Sequence, residues 1–116
     1  MKTAAHLQHL TPEGFSLVAS RFRLLAERLR LQILNRLQEG EASVSQLAED
    51  IGASQPNVSK HLRLLIDGGL VARRQEKTSV FVRVADPSVF ELCQVVCGGI
   101  EKHLNAQARA FVRSRG

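Results

Sequence analysis

At 116 residues, with 44% hydrophobic and 23% charged side chains, the chain is sized for one small globular domain with a real but thin core. A formal net charge of +5 and a pI near 10.0 favour a polyanionic partner, of which nucleic acid is the natural candidate, over an acidic or neutral one. No apolar run approaches the roughly 20 residues needed to cross a bilayer, and Met1-Lys2-Thr3-Ala4-Ala5-His6 lacks the apolar core of a signal peptide. A cytoplasmic protein without membrane contact is expected, its two cysteines reduced thiols rather than a structural disulfide.

Residues 1–10 carry no helical or strand pattern and are expected to be flexible, leaving 11–116 as a single domain. Thr11-Pro12-Glu13 reads as a helix start, and Phe15, Val18, Phe22 and Leu25 place an apolar stripe on a helix ending near Ala26. Leu29, Ile33, Leu34 and Leu37 mark a second helix that runs to Glu39 and stops at Gly40. Ser43 or Ser45 can cap a third, short helix, because a serine hydroxyl accepts from the N–H groups that a helix start leaves unpaired. Leu47, Ala48 and Ile51 repeat there at helical spacing, and Gly52 supplies the left-handed residue that ends it.

Ala53 and Ser54 make the turn, with Ser54 a second cap and Pro56 in the first turn of a fourth helix, where its missing N–H costs nothing. Val58, Leu62 and Leu65 form the inner stripe of that helix, which leaves Gln55, Asn57, Ser59, Lys60 and Arg63 facing away from the core. Asp67-Gly68-Gly69 stop the helix. Leu70 and Val71 then start a strand, and Ser79 to Val84 alternates with Val80, Val82 and Val84 on one face. Between the strands lies the polar, mostly basic tip Arg73-Arg74-Gln75-Glu76-Lys77-Thr78. Asp86-Pro87 opens a final helix with Val89, Phe90, Cys93, Val96, Cys97, Ile100 and Leu104 on a broad apolar face.

This order predicts a mostly α fold with a small β-hairpin: a winged helix-turn-helix of five or so helices and a two-stranded wing. A polar outer face is what every amphipathic helix shows. The basic hairpin that follows is what singles this one out, since a tip of that charge can straddle phosphates beside a groove occupied by the helix. The site expected for double-stranded DNA has Gln55, Asn57 and Ser59 reading base edges. Ser54, Lys60, His61 and Arg63 would hold the backbone, with Arg74 and Lys77 gripping from the wing.

The runs Leu29-Arg30-Leu31-Gln32-Ile33-Leu34, Ser45-Gln46-Leu47-Ala48, Ser54-Gln55-Pro56-Asn57-Val58-Ser59-Lys60-His61-Leu62-Arg63-Leu64-Leu65 and Gly69-Leu70-Val71 resemble the ArsR family of bacterial winged-helix repressors. The resemblance covers nearly the whole chain. It implies a homodimer, joined through the first and last helices, that represses transcription and leaves its operator when a small inducer binds. His61, at the edge of the inner stripe, reads as a packing or phosphate-contacting residue rather than a ligand, and the resemblance favours a role at the DNA face.

Cys93 and Cys97, spaced i and i+4, lie one above the other on a helical face, so one ligand or oxidant can address both sulfurs. Members of the family often sense metals, arsenicals or reactive sulfur through paired cysteines, which makes these the sensor candidates. The opposing reading is two buried core thiols, since no Lys, Arg or His stands at i±3 or i±4 to activate either. The family's cysteine-rich metal box is absent from Ser43-Val44-Ser45-Gln46-Leu47, and its Asp/His pattern fails where Asp86 is followed by Pro87-Ser88. No metal site or cofactor is expected, and the expected inducer is thiol-directed, either arsenite or a reactive sulfur species or oxidant. Gly98-Gly99 soften the helix just after Cys97.

His6 and His9 have no third partner in sequence, and Glu49-Asp50 read as solvated helix surface. No Gly-rich phosphate loop, metal-ligand cluster or nucleophile beside a His and a carboxylate is present, so no enzyme is expected. Two competing readings remain: a winged-helix module that binds protein, and a dithiol redox or metal-handling protein. Salt-dependent binding to DNA separates the first, and bound metal or thiol changes without an operator would mark the second.

Overall fold

The computed structural model describes residues 6–104. The domain expected over 11–116 contains two compact units, one up to Ala85 and one from Asp86 onward. Met1–Ala5 of the N-terminal stretch and 105–116 lie outside the described residues, and Leu7–His9 form a single 3-10 turn.

Helix α1 spans Pro12–Leu25, with Thr11 Oγ1 accepting from the Gly14 N–H at 3.0 Å. Helix α2 spans Arg28–Leu37, capped by Glu27, whose carboxylate accepts from the Leu29 N–H at 2.8 Å. It ends two residues before the expected Glu39, and residues 38 and 39 make the turn into Gly40. Strand β1, Ala42–Ser43, leads directly into α3, Val44–Ile51, and Ser43 is the cap, accepting from the Gln46 N–H at 3.1 Å. Helix α4 spans Gln55–Asp67 behind Ser54, whose Oγ accepts from the Asn57 N–H at 3.2 Å.

Helix α4 stops through paired reverse bonds, from Gly69 N–H to the Ile66 carbonyl and from Leu70 N–H to the Leu65 carbonyl, both 3.0 Å. This closure needs a left-handed residue at Gly69, which has φ +81°, and it drives Leu70 into the core.

Strands β2, Val71–Glu76, and β3, Ser79–Val84, form the antiparallel hairpin. The sheet has three strands in the order β1-β3-β2, where the sequence predicts two. The extra strand pairs Ala42 with Val82 and Ser43 with Phe81, and at two residues it is too short to show any alternation. The core of this unit is Ile33, Leu47, Val58, Leu65, Leu70 and Val82, all fully enclosed. Among the described residues, five α-helices and a winged hairpin form the architecture expected from the sequence.

The expected stripe of α1 is only partly core: Leu25 is buried, whereas Phe15 and Phe22 are about half exposed and Leu17 beside them is 73% exposed. The second unit is described through helix α5, Ser88–Leu104, with Asp86 accepting from the Ser88 N–H at 3.1 Å. Of its expected apolar face Val89 is buried, while Val96 and Ile100 are exposed, as is Val95 beside that face.

Candidate nucleic-acid interface

The outer face of α4 is as polar and open as its sequence implies. Gln55, Asn57, Ser59, Lys60 and Arg63 are all exposed, while Val58, Leu62 and Leu65 on the other side are buried. The Ser54 hydroxyl is committed as acceptor to its own helix cap and keeps only its O–H for a phosphate. Beside this face lies a cleft of about 380 Å³, bounded by Gln55, Ser59 and Arg63 of α4, Ser45 of α3, and Arg73 and Thr78 of the wing. Helix donors, amides and guanidinium groups therefore converge on one concave surface, the chemistry that recognises a phosphate backbone and the base edges beside it.

The wing places its two arginines on opposite faces, because neighbouring strand residues alternate. Arg73 pairs in register with buried Val82 and points to the cleft side, whereas Arg74 pairs with Phe81. Arg74 donates through Nε and NH2 to the two oxygens of Glu41, and through NH1 to Glu76, each at 2.9 Å. Its guanidinium carbon also stands 4.6 Å from the centre of the Phe81 ring.

Arg74, expected to grip phosphates from the wing, here braces β2 against the segment before β1, its charge met by two carboxylates. Hydrogen bonding to Arg74 holds the Glu41 carboxyl below its ordinary range, and Glu41 in turn pushes the Arg74 guanidinium up. Arg73, not among the DNA contacts expected from sequence, lines the cleft. Counting two positions on from buried Val71 would have found it. Lys77 sits exposed at the hairpin tip with φ +58°.

Of the two roles that the sequence leaves to His61, packing and phosphate contact, the free chain shows packing. His61 is 9% exposed, and its Nδ1 lies 2.9 Å from Arg30 NH1, so it faces inward rather than toward a phosphate. Asp50 is exposed on the helix surface, as expected, and there it accepts from Arg36 Nε and from Gln46 Nε2, both at 2.8 Å, tying α2 to α3. The bond from Arg36 lowers its carboxyl pKa, and that from Gln46 adds to the effect.

On α5, Cys93 is half-buried and Cys97 exposed. Burial pushes the Cys93 thiol up, and the neighbouring Cys97 adds to the shift. Among the described residues no group of three or more His, Cys, Asp or Glu side chains could hold a metal ion, and no helix is long and apolar enough to cross a membrane.

Comparison with known proteins agrees with this geometry. The profile of bacterial regulatory proteins of the arsR family matches residues 28–73. The HTH-type transcriptional regulator KmtR of Mycobacterium tuberculosis is 41% identical over 83 residues, which are 72% of this chain and 64% of that protein. A protein of Streptomyces lividans named as a mercury resistance operon repressor is 39% identical over 71 residues, 61% of this chain and 57% of that one. The chain thus spans somewhat less than two thirds of the length of these relatives.

Among solved structures, the homodimeric winged helix-turn-helix DNA-binding domain Mb0332 of Mycobacterium bovis superposes with a TM-score of 0.71 at 31% identity, covering 86% of this chain and 95% of that one. With the capped helix pair, the Gly69 closure and the winged hairpin in place, the chain belongs to the ArsR family of bacterial winged helix-turn-helix transcriptional regulators.

Proposed function

We propose that the chain is a homodimeric repressor in which α4 of each protomer enters the major groove of a pseudo-palindromic operator. Gln55, Asn57 and Ser59 read bases in this reading, and Ser54, Lys60, Arg63, Arg73 and Lys77 hold the phosphates. The observation that carries it is the cleft where the open polar face of α4 meets Arg73 of the wing. Exposed Phe15, Leu17 and Phe22 on α1, and Val95, Val96 and Ile100 on α5, supply apolar surface for pairing. The Mycobacterium bovis domain is a homodimer by its own description. Sedimentation of the chain should give a dimer, and a duplex selected from random sequence should bind with an affinity that falls steeply with salt. Monomer, or salt-insensitive binding, would reject the reading.

The inducer in this proposal is thiol-directed and acts at Cys93 and Cys97, which share one face of α5. The Streptomyces relative is named for mercury resistance, and mercury is a thiophilic metal. Cys97, exposed, is the sulfur that meets the reagent first; Cys93, with its thiol pushed up, follows. Arsenite, mercuric ion or a persulfide donor should release the duplex. Cys93→Ser and Cys97→Ser should bind DNA normally and fail to respond. Full response in both serine variants would make the sulfurs packing atoms.

A further inference from the structure

The Arg30 guanidinium is the meeting point of three helices. From α2, its Nε donates to the Leu24 carbonyl at 2.6 Å and its NH2 to the Arg23 carbonyl at 3.3 Å. These oxygens belong to the last turn of α1, the negative end of that helix, and the Arg23 carbonyl also accepts from the Ala26 N–H at 3.2 Å. The remaining arm, NH1, reaches His61 Nδ1 in the middle of α4 at 2.9 Å. A second guanidinium, that of Arg21 in α1, donates to the Gly68 carbonyl at 3.2 Å and fastens α1 to the far end of α4.

A guanidinium carries donors and no acceptor. The contact at 2.9 Å is therefore a hydrogen bond only when His61 Nδ1 presents its lone pair, which puts the ring proton on Nε2. A proton on Nδ1 would set N–H against N–H. Ser59 and Arg63 stand two positions on either side of His61, about 200° around the helix, so a bond on the His61 side fixes where those two side chains point.

We propose that Arg30 is a positioning residue for DNA reading: through an Nε2–H tautomer of His61 it locks the rotation of α4 against the end of α1. This rests on the reading of α4 as the DNA-contacting helix. Neither side chain touches nucleic acid in the proposal. Their effect passes through the orientation of the polar face.

The test uses the full chain, a duplex that it selects from random sequence, and a scrambled duplex as control. Arg30→Gln and His61→Leu should each lose about tenfold in affinity for the selected duplex, with affinity for the scrambled duplex and the salt slope unchanged. His61→Asn, which keeps an acceptor near the Nδ1 position, should retain most of the affinity. Long-range ¹H–¹⁵N spectra of the free wild-type chain should show His61 Nδ1 unprotonated and Nε2 protonated, with mixed tautomers in Arg30→Gln. A wild-type Nδ1–H tautomer overturns the lock whether or not the variants fold. Unchanged selectivity in Arg30→Gln overturns it, as does equal loss on both duplexes with a shallower salt slope, which would make Arg30 a phosphate contact. Failure of the wild-type chain to select any sequence rejects the DNA reading instead, and the tautomer spectrum then decides the lock alone.

Discussion

Replacing Arg73 by Ala should flatten the salt dependence of DNA binding, whereas the same change at its neighbour Arg74 should not. The distinction comes from where each charge goes. Arg73 lines the cleft and donates to the neutral amide of Gln75 at 3.4 Å, so its charge is available to a phosphate. Arg74 is one guanidinium against two carboxylates, Glu41 and Glu76, with three bonds of 2.9 Å. On B-DNA each phosphate contact contributes about 0.9 to the slope of log K against log salt, so losing one contact from both wings of a dimer lowers the slope by about 1.8.

Over the fourfold interval from about 50 to about 200 mM salt, that difference changes the affinity ratio of wild type to variant by roughly tenfold, with the larger deficit at low salt. Fluorescence anisotropy titrations of a labelled selected duplex across that interval read it directly. An unchanged slope in Arg73→Ala, or an equal fall in Arg74→Ala, would refute the division of labour between the two faces of the wing.

Gln55→Ala should weaken binding to the selected duplex by about 1–3 kcal/mol while leaving nonspecific binding nearly unchanged, since it removes a base-edge contact; equal loss on both would show that the residue does not read sequence. Gly69→Ala should cost about 1–2 kcal/mol purely through its backbone, because φ is +81° and an added Cβ would meet nothing within 4 Å. A urea midpoint equal to wild type at unchanged m would refute that account. Glu41 has a folded-state carboxyl below its ordinary 4.5, so its bond to Arg74 stabilises the fold above that pH and is lost as pH falls through the lower folded value. Acid unfolding of Glu41→Gln should therefore lack that part of the wild-type pH dependence, and superimposable acid limbs would remove the link.

Much of the fold was legible because its signals are local. Thr11, Ser43 and Ser54 cap the helices they precede, and Gly52 ends α3 with φ +80°, as a residue without a Cβ can. The outer face of α4 followed from the spacing of Val58, Leu62 and Leu65, since burying one stripe of a helix exposes the other. Strand β1 was not legible: its two residues form a strand only because β3 offers them partners. The end of α2 at Leu37 rather than Glu39 reflects a tighter last turn, in which the Glu39 and Gly40 N–H groups bond the Arg36 and Leu37 carbonyls three residues back.

The sequence by itself determined the helix-turn-helix, the hairpin and the polar face beside them, because capping, periodicity and turn chemistry act between residues close along the chain. Only the tertiary structure decided which cations are free. Arg74 meets Glu41 from 33 positions away, and Arg30 meets His61 from 31. Those pairings commit the Arg74 guanidinium to Glu41 and bring His61 Nδ1 to Arg30, while Arg73 lines the cleft. A charge's role depends on which opposite charge or lone pair the fold brings within about 3 Å, and distance through space is what a linear order of residues does not carry.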